Sequence, residues 1–252
     1  MILYQNKLAK ITQIHISLDL AKSIFTEGKM KYGESTFDLL YLLFAIISGF
    51  YMLRMAESKA GKAMGAAALV LGLGDSFHLI PRVLNYFIES DFTTALGVGK
   101  FVTSVTMTVF YVILFYIWLV HYREKYNVKL SVVVTALTLA RIVICCFPQN
   151  GWFDNSTNLP WSIARNIPFL LLGIIICILF YRKRKEEETL SYIWLYVLLS
   201  FAFYIPVAIG ASYVPILGML MIPKTICYIL MLIAFIKFIA KENTLLPNDR
   251  QK

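Results

Sequence analysis

Charged residues are scarce in this chain and make up 15% of its 252 positions, whereas a soluble globular domain has about a quarter. Hydrophobic residues make up 59%. This composition excludes an ordinary soluble domain and predicts a polytopic membrane protein. The 24 basic residues exceed the 15 acidic ones and cluster between apolar runs. We therefore interpret the net charge as a mark of membrane orientation and predict no nucleic-acid binding.

Residues that bind metals are also few. The chain has three histidines and four cysteines, and no Cys-x-x-Cys or Cys/His spacing typical of a zinc site. Among the histidines, only His78 falls inside an apolar run. We therefore predict no metal centre, and we interpret the cysteines as small buried hydrophobic residues.

The alternating pattern of a transmembrane β-barrel is absent. The chain instead contains seven apolar runs, most of them close to the ~20 residues that cross the hydrocarbon core as a helix. The predicted spans are Phe37–Arg54, Ala63–Phe87, Thr94–Val120, Val128–Phe147, Ile167–Tyr181, Leu190–Ala211 and Pro215–Ala240. The predicted fold class is all-α, a polytopic integral membrane protein that forms a seven-transmembrane-helix bundle.

Lysine and arginine concentrate in alternate connections between these spans. The connections after the first, third and fifth spans and the tail after the seventh are basic, and the three intervening connections are poor in both residues. The positive-inside rule places basic connections in the cytoplasm. We therefore expect an outer N-terminus, a cytoplasmic C-terminus and a multi-pass protein of the cytoplasmic membrane, of bacterial type.

Segments outside the spans give three further expectations. Residues 1–35 mix apolar residues with lysines and are expected to form an N-terminal amphipathic or dispensable segment. The transmembrane domain is expected over 36–241, and a cytoplasmic tail over 242–252. The outer loop from Pro148 to Trp161 carries two tryptophans, so we expect it to lie at the membrane interface, where amphipathic rings settle.

Ionisable residues inside the apolar runs indicate where function resides, because each costs roughly 2.5–3.5 kcal/mol on insertion scales unless it finds a partner. On the second span, Asp75, His78 and Arg82 are spaced three and four residues apart, which places them on one helical face. Pro81 lacks a backbone N–H, so we expect a break in this helix that frees the carbonyl near Phe77.

Three other spans carry single cations. These are Lys100 on the third span, Arg141 on the fourth and Lys224 on the seventh, with Tyr228 one turn beyond Lys224. Arg141 needs an acid or several carbonyls, and Asp75 is the first candidate partner, with Asp38 on the first span the second.

The predicted topology gives these charged residues a common depth. Counted along the spans, Asp75 and all the cations fall between the midplane and the outer boundary. A common depth is what one outward-facing polar pocket requires, and the surplus of positive charge favours an anionic or zwitterionic ligand. We therefore expect Asp75, His78, Arg82, Lys100, Arg141, Lys224 and Tyr228 to form a pocket that binds or transports such a ligand, either small or lipid-like.

Two alternatives remain open at this point, an intramembrane lipid hydrolase and a stabilising network. Asp75 and His78 could act as general acid and base on a substrate. The Gly74-Asp75 pair, with Gly97, Gly99 and Tyr111, resembles the YhhN-type lysoplasmalogenases, multi-span enzymes that cleave vinyl-ether lipids. That resemblance implies an intramembrane lipid hydrolase with Asp75 at its site. The charges could also form a purely stabilising network between helices.

A retinal cofactor is not predicted. Seven spans and Lys224 in the middle of the last one are similar to retinal-binding rhodopsins. However, Lys224 lies within Ile222-Pro223-Lys224-Thr225, which lacks the Asp-x-x-x-Lys pattern of the microbial pumps. We therefore expect no cofactor.

Overall fold

The computed structural model describes residues 31–123, 127–156, 158–211 and 213–245. Within these residues the chain is helical and contains no strand, and seven helices are long and apolar enough to cross a membrane. These helices are α1 Lys31–Met55, α2 Lys59–Phe87, α3 Thr93–His121, α4 Val128–Cys146, α5 Leu159–Lys183, α6 Ile193–Gly210 and α7 Met221–Leu245. Number, length and composition of the helices indicate a multi-pass membrane protein, as predicted.

The chain divides into two compact units, residues 1–40 and 41–252. The described part of the first unit, residues 31–40, is helical. The predicted N-terminal segment lies largely outside the described residues, and so does most of the predicted tail, since α7 continues to Leu245.

The largest difference from the predicted spans is the start of α5, which begins at Leu159 and not at Ile167. Asn158 caps the helix by accepting a hydrogen bond from the backbone N–H of Trp161, and Pro160 occupies a position in the first turn that needs no N–H. Arg165, which we assigned to a loop, therefore lies inside a helix long enough to span the membrane.

Helices α2 and α3 approach closely near Pro81. The helix α2 is continuous through Pro81, so the predicted break does not occur, although proline still removes one backbone donor. A Cβ atom placed on Gly99 would overlap the Phe77 carbonyl oxygen and the backbone of His78. Glycine at position 99 thus allows α3 to pack directly on the backbone that carries His78.

Aromatic rings fill the middle of the second unit. Tyr111 packs edge-on against Phe169 at 5.1 Å between ring centroids, and Phe110 packs edge-on against Tyr228 at 5.8 Å. Phe110, Tyr111 and Tyr228 are buried. These rings join α3, α5 and α7 in a dry layer, and offset or edge-on geometry adds to the apolar burial.

Ion pairs occur where α5 ends and α7 continues towards its C-terminus. Lys183 pairs with Glu186 at 2.8 Å, and Lys241 pairs with Glu187 at 2.9 Å. Partial burial of Glu187 opposes ionisation, but the hydrogen bonds from Lys241 and Thr189 outweigh it and lower the pKa of Glu187. We call this end of the second unit the basic end.

Candidate functional site

A cavity of ≈ 470 Å³ opens among helices α2 to α7 at the end opposite the basic end, where the α2–α3, α4–α5 and α6–α7 connections lie. Five of its lining residues are cationic, namely Arg82, Lys100, Arg141, Arg165 and Lys224. No aspartate or glutamate is among the described residues that line it. We call this space the cationic cavity.

Arg141 is the most buried of these cations, with 2% of its surface exposed. Its guanidinium carbon lies 3.4 Å from the centroid of the Phe169 ring, a geometry in which the ring face attracts the cation. Its Nε and Nη1 atoms are buried and have no hydrogen-bond partner among the described residues. A buried charge with unsatisfied donors is costly in an empty site and matches the oxygens of an anion.

Arg141 does not pair with Asp75, which was its first predicted partner. The Asp75 carboxylate instead accepts a hydrogen bond of 2.7 Å from the Tyr41 hydroxyl. The sequence prediction considered an acid or several carbonyls as partners of Arg141, and did not consider a stacked aromatic ring.

Lys224 extends into the cavity from the first turn of α7 and is 8% exposed. Its Nζ atom lies 5.0 Å from the centroid of the Tyr204 ring and 5.5 Å from that of Tyr228. Within the described residues it makes no ion pair within 4 Å. The ammonium group is therefore held by two ring faces and keeps its three N–H donors available for a ligand.

The loop between α4 and α5 positions two more cations. Asn155, whose backbone has a φ of 50°, accepts a hydrogen bond of 2.7 Å from Lys100 Nζ. Asn150 accepts one of 2.7 Å from Arg165 Nη1. Asparagine is among the residues that tolerate positive φ, which allows the loop to turn the Asn155 amide oxygen towards Lys100.

Trp152 belongs to the same loop and packs inside the protein, whereas the position of the loop at the membrane interface stays a prediction. Trp152 is buried, lines the cationic cavity and donates a hydrogen bond of 2.7 Å to the Cys145 carbonyl at the C-terminus of α4. The Arg165 guanidinium stacks over its ring at 4.6 Å. Because the indole N–H satisfies a carbonyl that the helix leaves unpaired, the ring is fixed inside the protein.

His78 and Arg82 line the cavity from α2. The buried Nδ1 atom of His78 has no hydrogen-bond partner among the described residues, and Arg82 Nε donates to the Tyr86 hydroxyl at 3.3 Å. The His78 imidazole and the Arg82 guanidinium thus line the same cavity as the three cations from α4, α5 and α7, namely Arg141, Arg165 and Lys224.

Two of the seven predicted site residues do not line the cavity. Asp75 lies one turn deeper than His78 on α2, bonded to Tyr41. Tyr228 lies one turn deeper than Lys224 on α7, within the aromatic layer. The remaining five, His78, Arg82, Lys100, Arg141 and Lys224, line one cavity, and their part in binding a ligand stays a prediction.

Sequence reasoning missed three residues of the cavity wall, Arg165, Trp152 and Tyr204. A signal for Arg165 was present, because Asn158 followed by Pro160 marks a helix start. Tyr204 carried none, since one tyrosine in an apolar run resembles any core aromatic residue.

Comparisons with models of protein families, with curated proteins and with solved structures found no match to this chain. The resemblance to lysoplasmalogenases therefore rests on the Gly74-Asp75 pair and its few accompanying residues alone.

Proposed function

We propose that this multi-pass membrane protein binds an anionic or zwitterionic ligand in the cationic cavity, either to transport it or to sense it. The observation that carries the proposal is a cavity whose described lining includes five cationic residues and no carboxylate. Fixed positive charge in a low-dielectric wall attracts anions and strengthens each contact with them.

The donors support the same proposal. Arg141 has two nitrogen atoms, Nε and Nη1, without a hydrogen-bond partner among the described residues, so its guanidinium retains donors for the oxygens of a carboxylate or phosphate. Lys224 offers an ammonium group without a hydrogen bond or ion pair to the described residues, which suits a second oxygen of the same anion. A ligand that occupied both would remove the desolvation cost that these groups carry when the cavity is empty.

The side of the membrane follows from charge distribution. The cavity lies at the end of the helices opposite the basic connections, and basic connections favour the cytoplasm. We infer that the cavity opens to the outer side of the cytoplasmic membrane, so that the ligand enters from outside.

The two alternatives find less support. Acid–base hydrolysis by Asp75 and His78 requires both groups to reach one substrate, and Asp75 does not line the cavity. A purely stabilising network should satisfy its own charges, whereas Arg141 and Lys224 have no acidic partner within 4 Å among the described residues.

The test is stabilisation of the purified protein by anions in a neutral detergent. Inorganic phosphate, butyl phosphate and butanoate are the probes, and choline is the cationic control. A ligand at one hundred times its Kd stabilises the folded state by about 2.7 kcal/mol, so the melting temperature should rise with at least one anion and not with choline.

Arg141→Met and Lys224→Met should reduce that response, because loss of a buried charge from an ionic contact costs about 2–5 kcal/mol of binding energy. Lys185→Met, at an exposed position of the basic end, is the matched control and should respond as the parent does. Equal anion responses in the parent and in both cavity variants would refute the proposal.

A further inference from the structure

An apolar groove lies beside the cationic cavity, between α5 and α6. Its volume is ≈ 100 Å³, and its wall is formed mainly by Ile163, Ile167, Leu170, Phe201, Ile205 and Ile209. Ile167 and Ile209 are about half exposed, so the groove opens on the outside of the helices. In a membrane this outside faces acyl chains. We call it the α5–α6 groove.

The groove and the cavity are adjacent and share part of their walls. Ser162, Tyr204 and Ala208 line both spaces. Tyr204 stands at the junction, where its ring face lies 5.0 Å from Lys224 Nζ and its hydroxyl donates a hydrogen bond of 2.9 Å to Asn166 on α5. Tyr204 thus contacts the Lys224 ammonium group with its ring, and its hydroxyl links α6 to α5 through the hydrogen bond to Asn166.

Adjacent cationic and apolar spaces specify an amphiphilic ligand. A free anion would use only the cavity, and an uncharged lipid would supply no negative charge to Arg141 and Lys224, which make no ion pair with the described residues. We propose that the ligand is a single-chain anionic amphiphile, whose headgroup binds in the cationic cavity and whose alkyl chain lies in the α5–α6 groove. This inference rests on the anion binding proposed above and names the class of ligand for it.

The geometry also gives the ligand a route. The groove is open to the side of the protein, so the chain can stay in an apolar environment while the headgroup passes between α5 and α6. Tyr204 and Asn166 lie on that path, and their hydrogen bond must move or open to admit a headgroup. The entry is therefore lateral, from the outer leaflet.

The experiment measures binding of dodecyl phosphate, butyl phosphate and inorganic phosphate by native mass spectrometry, from micelles of a neutral detergent. The groove variant is Ile205→Trp, which fills the wall. The matched control is Leu198→Trp, an exposed position on the same helix that does not line the groove. Partition into micelles favours the longer chain for every protein, so each probe is compared between variants and not between chain lengths.

We expect Ile205→Trp to weaken the binding of dodecyl phosphate about tenfold. This loss corresponds to losing contact with roughly two methylene groups. The affinity for butyl phosphate should change less than about twofold, since its chain barely leaves the cavity. Leu198→Trp should change the affinity for neither probe. If Ile205→Trp does not fold, dodecyl phosphate with a photoreactive group at the chain end should label peptides of α5 and α6.

Failure of this inference and failure of the proposed function give different results. Equal dodecyl phosphate binding in Ile205→Trp and Leu198→Trp, or labelling outside α5 and α6, would show that the alkyl chain lies elsewhere. Either result would overturn the proposal of an amphiphilic ligand. Binding of all three probes that Arg141→Met leaves unchanged would instead overturn anion binding in the cavity itself.

Discussion

Cations at the two ends of the second unit have opposite surroundings. At the basic end, Lys183 and Lys241 lie within 3 Å of Glu186 and Glu187. In the cationic cavity, Arg141 and Lys224 lie against aromatic rings and have no carboxylate within 4 Å among the described residues. The first pairs are complete without a ligand, whereas Arg141 and Lys224 lie against rings and form no such pair with the described residues. The contrast separates charges that maintain the fold from charges that are available for binding.

The contrast predicts opposite signs for the loss of a cation at the two ends. Without ligand, Arg141→Met should raise the free energy of unfolding by about 1–4 kcal/mol, because it removes a buried charge with unsatisfied donors. Methionine can still pack on the Phe169 ring. Chemical unfolding in detergent, with ligand-free protein, measures the difference. A loss of several kcal/mol would mean that Arg141 maintains the fold, and the separation between the two ends would fail.

A second prediction concerns the close approach that places His78 at the cavity wall. Gly99→Ala should lower the free energy of unfolding by about 1–3 kcal/mol, because the new methyl group overlaps the backbone of α2. The matched control is Gly33→Ala, where an added Cβ meets nothing within 4 Å and helix propensity improves. Thermal unfolding of both variants checks this, and equal stability would show that the α2–α3 contact is looser than described.

A third prediction separates Asp75 from the cavity. Tyr41→Phe removes the hydroxyl that donates to the Asp75 carboxyl group, which should cost about 1–3 kcal/mol of unfolding free energy because a part-buried acceptor loses its donor. Anion affinity should stay within about twofold of the parent, which is well under 1.4 kcal/mol. Both quantities are measured on one purified sample: the free energy of unfolding by chemical unfolding, and the affinity by anion titration. A large loss of anion affinity with an unchanged free energy of unfolding would show that Asp75 takes part in the binding site.

The smallest expected effect is at the basic end. Since the pKa of Glu187 is lowered in the folded protein, its ion pair stabilises the fold above the ordinary glutamate pKa, and this contribution is lost as the pH falls through the lowered value. Lys241→Met should remove at most about 1 kcal/mol at pH 7, as expected for a pair near the surface.

The pH dependence supplies the control for that prediction. Stability measured from pH 7 down to below pH 4 should fall less steeply in Glu187→Gln than in the parent. Identical profiles would show that the pair contributes nothing measurable.

The sequence was sufficient for the number of helices, because seven apolar runs of spanning length leave few other folds. It also identified five cavity residues, since a charge in an apolar run is rare and has to face the interior. The sequence could not show which way each helix is rotated about its axis, and therefore which side chains reach the cavity. Asp75, His78 and Arg82 share a helical face, yet one turn of depth and the position of Tyr41 remove Asp75 from the cavity wall.

Local capping explains the other misses. Arg165 was assigned to a loop because the apolar run begins two residues later, although the cap at Asn158 starts the helix well before it. Because its loop was interpreted on composition alone, Trp152 was not expected in the cavity. Its place depends on a hydrogen bond to a carbonyl of another helix, and such a contact leaves no periodic pattern in the sequence.

The position of Trp152 gives this protein an intrinsic optical reporter. Of its four tryptophans, Trp152 is the one that lines the cationic cavity among the described residues, stacked under Arg165. Indole emission responds to the field and to the polarity around the ring, so an arriving negative group should shift its colour and intensity without any attached dye. Replacing the other three with phenylalanine would leave a fluorophore that reports ligand entry in real time, from an unlabelled chain in an intact bilayer.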